Sequence, residues 1–110
     1  MAPKPCTIQV GCYSGVLHYL KAVAAIGTQA AKASGAAAVL KMKQIPTEDD
    51  VFGLGHVRED GRKIHDMHLF QAKAPAESKE PWDLYRLIRS TPGEQAFRRL
   101  SAGACPMVHA

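Results

Sequence analysis

The sequence is poor both in the residues that fill a core and in those that carry chemistry. Aromatic residues make up only 6% of its 110 positions: one tryptophan, three tyrosines and three phenylalanines. Alanine inflates the 46% hydrophobic fraction, because the segment 22–38 is rich in it and each alanine removes little area from water. Outside the first helical segment the solid apolar anchors reduce to Leu40, Leu69, Phe70, Trp82, Leu87 and Phe97. That is a thin core for a single modest domain over residues 1–110, and it points to part of something larger. The three cysteines, Cys6, Cys12 and Cys105, lack metal-type spacing, and an odd number cannot all pair internally. A Cys6–Cys105 bridge would tie the chain ends together in an oxidising compartment; unpaired thiols are the alternative. No apolar run approaches the roughly 20 residues that span a bilayer. The opening MAPKPCTIQV lacks the charged start, apolar run and small-residue cleavage site of a secretory signal, so as written the chain reads as soluble and cytoplasmic, with no membrane insertion.

Charge is present but unfocused. Fourteen Lys and Arg against ten Asp and Glu give a net charge of +4, yet acidic residues accompany most of the basic ones. Only Arg86, Arg89, Arg98 and Arg99 form a local basic cluster, and no aromatics are interleaved with it as a single-strand binder requires. A solvated basic face, with no nucleic acid as partner, is the reading.

Along the chain, Tyr13, Val16, Leu17, Leu20, Val23 and Ala24 recur at helical spacing and predict a helix over Tyr13–Ile26, with His18 and Lys21 off the stripe and Gly27 as its stop. Residues 28–35, TQAAKASG, have weak periodicity and read as a loop or frayed turn. A second helix is expected over Gly35–Gln44, ended by Pro46, and the acidic triplet Glu48, Asp49, Asp50 as a solvated connection. The stretch Gly55–Lys73 has the clearest local geometry: an extended run at His56–Arg58, a reversal at Glu59, Asp60 and Gly61, and a strand over Lys63–Lys73. Apolar residues on both pleat faces at Met67–Phe70 imply a strand covered on both sides. Residues 73–81 read as a surface loop, and Trp82–Ser90 fits a helix or a strand equally well by pattern. Thr91, Pro92, Gly93 and Glu94 predict a capping box opening a helix over Pro92–Leu100 that buries Ala96, Phe97 and Leu100, followed by a coil tail.

Candidate chemistry is sparse. His65 and His68 flank Asp66, and His56 and His18 complete a possible metal set, but on a strand positions 65 and 68 face opposite ways and cannot share an ion. Ser14 and His18 stand at helical spacing without an orienting third group or an oxyanion loop, so Ser14 reads as part of the helix start. Gly53–His56 lacks the rest of a phosphate-binding loop and reads as turn chemistry. The expectation is a non-enzyme with no metal and no cofactor.

Taken in order, Y-S-G-V-L-H-Y-L-K-A-V (Tyr13–Val23), G-T (Gly27, Thr28), V-R-E-D-G-R-K-I-H-D-M-H-L-F-Q-A-K (Val57–Lys73), P-A-E-S-K-E-P-W-D (Pro75–Asp83), P-G-E-Q-A-F-R (Pro92–Arg98) and C-P-M-V (Cys105–Val108) resemble the C-terminal end of extracellular solute-binding proteins. The type is the branched-chain amino-acid and amide binders that serve ABC transporters. The resemblance runs from about Gln9 to Val108; each motif is weak alone, and the ordered set is specific. It implies an α/β fold: the C-terminal fragment of a Rossmann-like two-lobed periplasmic binding protein, with two helices, a β-hairpin, a further strand and a short terminal helix. It favours an extended Tyr85–Ser90, a periplasmic location, a small polar solute (amino acid or amide) as ligand and a transporter permease as partner. Gln9 and Tyr13 fall where the family's chain nears its cleft, so they are the ligand-binding candidates, against a plain role in helix entry and packing. Residues 28–35 stand where the family has a shorter acidic linker, and with Met1 just ahead of the helix pair most of the cleft walls would be missing. A binder lacking one wall would hold its solute weakly, since affinity needs burial on most sides. The alternative is a structural module that docks through half-exposed apolar faces on a complementary lobe or on itself as a homo-oligomer.

Overall fold

The computed structural model describes residues 4–104, 106 and 108. The possible Cys6–Cys105 bridge therefore falls partly outside the described residues; Cys6 and Cys12 are exposed thiols. Helix α1, Thr7–Ile26, begins six residues before the predicted start. Gln9 explains the extension: its Oε1 accepts the Cys6 N–H at 2.8 Å, satisfying one of the donors a first turn leaves open. Gly27, at φ +83°, ends the helix as expected.

Residues 28–33 correct the expected loop, for they form a second helix, α2, Thr28–Ala33. Its alanine-rich TQAAKA has high helix propensity but buries no residue, so it carries no apolar periodicity to detect. Ser34 then caps α3, Gly35–Gln44, by accepting the Ala37 N–H at 3.3 Å. α1 packs mainly on α3, where Ala22 and Ala38 are fully buried.

Three short strands follow as an antiparallel meander: β1, Thr47–Asp49, β2, Gly53–Val57, and β3, Lys63–His65. The β2–β3 hairpin stands where the sequence puts it, with His56 opposite Ile64 and Val57 opposite Lys63. Gly61 takes φ +82° at the reversal, and Arg58 grips the Asp60 carboxylate at 2.6 and 2.9 Å, drawing its pKa down to about 2. The long strand expected over Lys63–Lys73 is broken at Asp66. There the side chain accepts the Gly93 N–H at 3.0 Å and the carbonyl accepts from His65 Nδ1 at 2.8 Å, so residue 66 leaves the ladder.

Beyond the break, β4, Met67–Ala72, pairs antiparallel with β5, Tyr85–Thr91, as a separate two-stranded ribbon, which resolves the ambiguous segment as strand. The covering expected on both faces of Met67–Phe70 is not there: every residue of β4 is exposed. The terminal helix is also shorter than expected. α4 spans only Gly93–Ala96, has Pro92 rather than Thr91 at its cap and receives no side-chain cap of its own. Phe97 turns extended and sets its ring edge-on to His65 at 5.5 Å, which ends the helix; Ala96 stays exposed, and Leu100–Gly103 form a 3-10 turn where coil was expected.

Buried apolar side chains among the described residues are Ala22, Ala38 and Ile64. Of the expected anchors, Leu40, Leu69, Phe70 and Leu87 are more than half exposed, and Trp82 and Phe97 are half-buried. The shape agrees: the Cα radius of gyration is 17.5 Å over extents of 56 × 34 × 17 Å, against about 13 Å for a compact domain of this length. The core is thin because most large apolar side chains point away from the rest of the chain.

Candidate functional site

Helix α1 divides its faces in a way its apolar pattern hides. The stripe buried against this chain is Ser14, His18 and Ala22, one turn apart, whereas Tyr13, Val16 and Leu20 face out, with Val16 58% and Leu20 55% exposed. The readings of His18 as lying off the packed face and of Ser14 as a helix-start residue are both corrected by this arrangement. Small and polar side chains let α1 approach its neighbours closely and leave the large ones for another surface.

Ser14 is the centre of a buried polar knot that joins α1 to the meander. Its Oγ donates to Asp49 Oδ2 at 2.5 Å, and Lys63 Nζ donates to both Ser14 Oγ, at 2.5 Å, and Asp49 Oδ2, at 2.8 Å. Asp49 Oδ1 accepts the Val51 and Phe52 N–H groups at 3.0 and 2.6 Å, closing the turn between β1 and β2. The Asp49 side chain is 3% exposed, so the acidic triplet is not wholly solvated as expected. Burial by itself raises this carboxyl; the bonds from Lys63, Phe52, Ser14 and Val51 outweigh it and hold the pKa well below the ordinary range. Lys63 also lies over the Phe52 ring at 4.6 Å. With every oxygen of the carboxylate taken and the hydroxyl held between two charged partners, the knot is a fastening and has no free nucleophile.

The candidates for ligand contact sit at the start of α1. Gln9 is exposed and its carbonyl oxygen is occupied by the helix cap. Tyr13, one turn on, donates its hydroxyl to Asp50 Oδ1 at 3.2 Å, a bond to a carboxylate that raises the phenol pKa. Its ring joins Cys12, Val16, Leu17 and Leu20 along an open apolar groove of about 390 Å³. The two candidates thus share one side of the helix, next to its outward apolar stripe.

The histidines are held apart. His18 Nε2 donates to the Met42 carbonyl at 2.8 Å, leaving Nδ1 buried without a partner, and it makes no bond to Ser14. His65 sits between Phe52, tilted at 4.6 Å, and Phe97, edge-on at 5.5 Å; His68 reaches Ser90 Oγ at 2.9 Å; His56 lies 3.7 Å from Glu94. Among the described residues no three His, Cys, Asp or Glu side chains come together as metal ligands. Gly53–His56 lies within strand β2, and Gly55 is needed for close approach: a Cβ there would lie 2.2 Å from the Ile64 carbonyl oxygen.

Among the described residues, the outward apolar face of α1 is left uncovered by any neighbouring element. The family model described as periplasmic binding protein matches residues 1–79. The chain belongs to the periplasmic binding protein family. A crystal structure of a periplasmic binding protein from Burkholderia mallei is 40% identical, with a TM-score of 0.79 over 96% of this chain. A branched chain amino acid ABC transporter periplasmic ligand-binding protein from Burkholderia xenovorans LB400 is 38% identical, with a TM-score of 0.82 over 97% of it. The chain spans only 27% and 28% of the length of these two periplasmic binding proteins. No curated protein matches the chain.

Sequence reasoning missed the knot among these periplasmic binding protein residues. A usable signal was present in part: Ser14, His18 and Ala22 repeat every fourth position on one side of a helix, but nothing local marks Asp49, within an acidic triplet, or Lys63, within the hairpin, as their partners.

Proposed function

We infer that this chain is the C-terminal portion of the solute-binding component of an ABC importer for branched-chain amino acids or related small amides, working in the periplasm. The observation that carries this reading is the likeness to the Burkholderia xenovorans ligand-binding protein, 38% identical over almost the whole of this chain. The role is capture and presentation to a permease, without catalysis; the occupied Ser14–Asp49–Lys63 knot and the separated histidines support a non-enzymatic reading. In this scheme Gln9 and Tyr13 are the ligand-contact candidates, and the Tyr13 hydroxyl, exposed beside a groove, is the better placed of the two. Alone, the chain offers one wall of a site, and a site with one wall holds a small polar molecule poorly.

Calorimetric titration of leucine, isoleucine, valine, short amides and urea tests the reading. The chain assembled with the rest of a binding protein is expected to release heat with at least one of them, and Tyr13→Phe to weaken it. Silence across the whole panel in the assembled state contradicts it. The second reading, a non-catalytic interaction module, is favoured by a different observation, the uncovered ribbon β4–β5, and is marked by stable association with no solute heat.

A further inference from the structure

Two adjacent carboxylates at the turn after β1 have opposite fates. Asp49 is spent on Ser14, Lys63 and two backbone N–H groups. Asp50 is exposed, and its Oδ1 accepts the Tyr13 hydroxyl at 3.2 Å. Among the described residues its Oδ2 has no hydrogen bond and neither oxygen has an ion-pair partner. Lys63 is held by Asp49, and Lys21 donates to the Glu48 carbonyl at 2.6 Å, so neither neutralises Asp50 by contact. The hydrogen bond and then the charge of Asp50, with a lesser part from Asp49, raise the Tyr13 phenol, which marks the potential at that hydroxyl as negative. From the same ring the apolar groove runs past Val16 and Leu17 to Leu20, two turns of α1 or about 10 Å. No charged residue lines it among those described.

We propose that Asp50 and the Tyr13 hydroxyl select the ammonium group of the solute while the groove takes its aliphatic side chain, so that this site prefers amino acids to neutral amides. The proposal rests on the solute-binding function inferred above and divides its two solute classes. An amino acid carries an ammonium at neutral pH; a simple amide does not. The free Oδ2 of Asp50 accepts a charge-assisted bond from that ammonium, stronger than the bond a neutral amide N–H offers. With its own proton directed at Asp50, the Tyr13 hydroxyl presents its lone pairs to the same group, so a head with three donors meets two acceptors. The solute carboxylate is repelled from this end, which fixes the direction of entry. A bare ammonium is the poorer occupant, because an exposed ion pair by itself contributes little. The groove supplies what the charge lacks: a long apolar surface that an aliphatic side chain removes from water.

The test titrates the chain with four probes and follows its backbone amides by nuclear magnetic resonance, which reads weak contacts residue by residue. Leucine carries both groups, isopentylamine the ammonium without the carboxylate, isovaleramide the same side chain on a neutral amide, and methylammonium the charge without the side chain. Leucine and isopentylamine are expected to shift the Tyr13, Val16 and Asp50 amides at concentrations about tenfold or more below those isovaleramide or methylammonium needs. Asp50→Asn should abolish the gap between amine and amide while leaving the isovaleramide midpoint in place. Glu48→Gln, which removes an equal charge two residues away, should keep the gap. Equal midpoints for amine and amide, a gap that survives in Asp50→Asn, or no shift at these amides with any probe would overturn the proposal. The functional reading fails differently: calorimetric silence toward every solute removes it, whereas equal response to leucine and isovaleramide keeps it and removes only the selection.

Discussion

At Asp49 the physical state of one carboxylate decides whether α1 stays fastened to the meander. It takes four hydrogen bonds, two from side chains and two from backbone, and all favour the charged form. The folded pKa is depressed, so the stabilisation it confers is fully present above the unfolded value near 3.9 and is lost as pH falls through the folded value below it. Amide protection factors in β1 and β3 should be level from pH 7 to about 4 and decline only in more acid solution; in Asp49→Asn the decline should be smaller, leaving the share that Asp60 contributes at the β2–β3 reversal. The same substitution at neutral pH removes the charged partner of buried Ser14 and half-buried Lys63, at a cost of about 2 kcal/mol, read as roughly 30-fold faster exchange in β1–β3. Gly55→Ala should be harsher. Its Cβ would meet backbone at Ile64, which cannot rotate away, so protection across the meander should fall to near-unfolded values while α1 and α3 keep theirs.

Among the elements, α1 and the ribbon share one property: each has large apolar side chains that no other described element covers. Val16→Lys or Leu20→Lys should therefore change the helix content of the isolated chain by little, within about 0.5 kcal/mol of stability, since both positions already face water. Circular dichroism checks this, and a collapse of helicity would mean that the stripe packs internally. The same property marks what could be read from the sequence. The α1 stripe, the Gly27 stop, the reversal at Gly61 and the helix ended before Pro46 all follow from local rules, because each depends on residues close in the chain. What failed needed distant partners. The break at Asp66 is made by Gly93, the early end of α4 by the Phe97–His65 contact, and the burial of Ser14 by Asp49 and Lys63. α2 escaped notice for the opposite reason, since an exposed helix of alanines has no buried face to leave a period. Of the candidate site, Gln9 and Tyr13 are proposed through family resemblance alone, because an apolar stripe announces a covered face without saying what covers it.

For the whole molecule, the periplasmic binding protein family, the extended shape and the uncovered faces fit the proposed function as a portion of a solute binder. Its most ordered part is expected to be the α1–α3 and β1–β3 unit, where the buried residues lie, and its least ordered part the ribbon. Hydrogen exchange of the ribbon amides, in the chain alone and after addition of the remainder of a periplasmic binding protein, tests this most directly. The account expects β4–β5 to exchange at close to unfolded rates alone and to gain at least about a hundredfold protection, some 2.7 kcal/mol, once the complement is bound. A ribbon fully protected in the isolated chain, and unchanged by the complement, would contradict it.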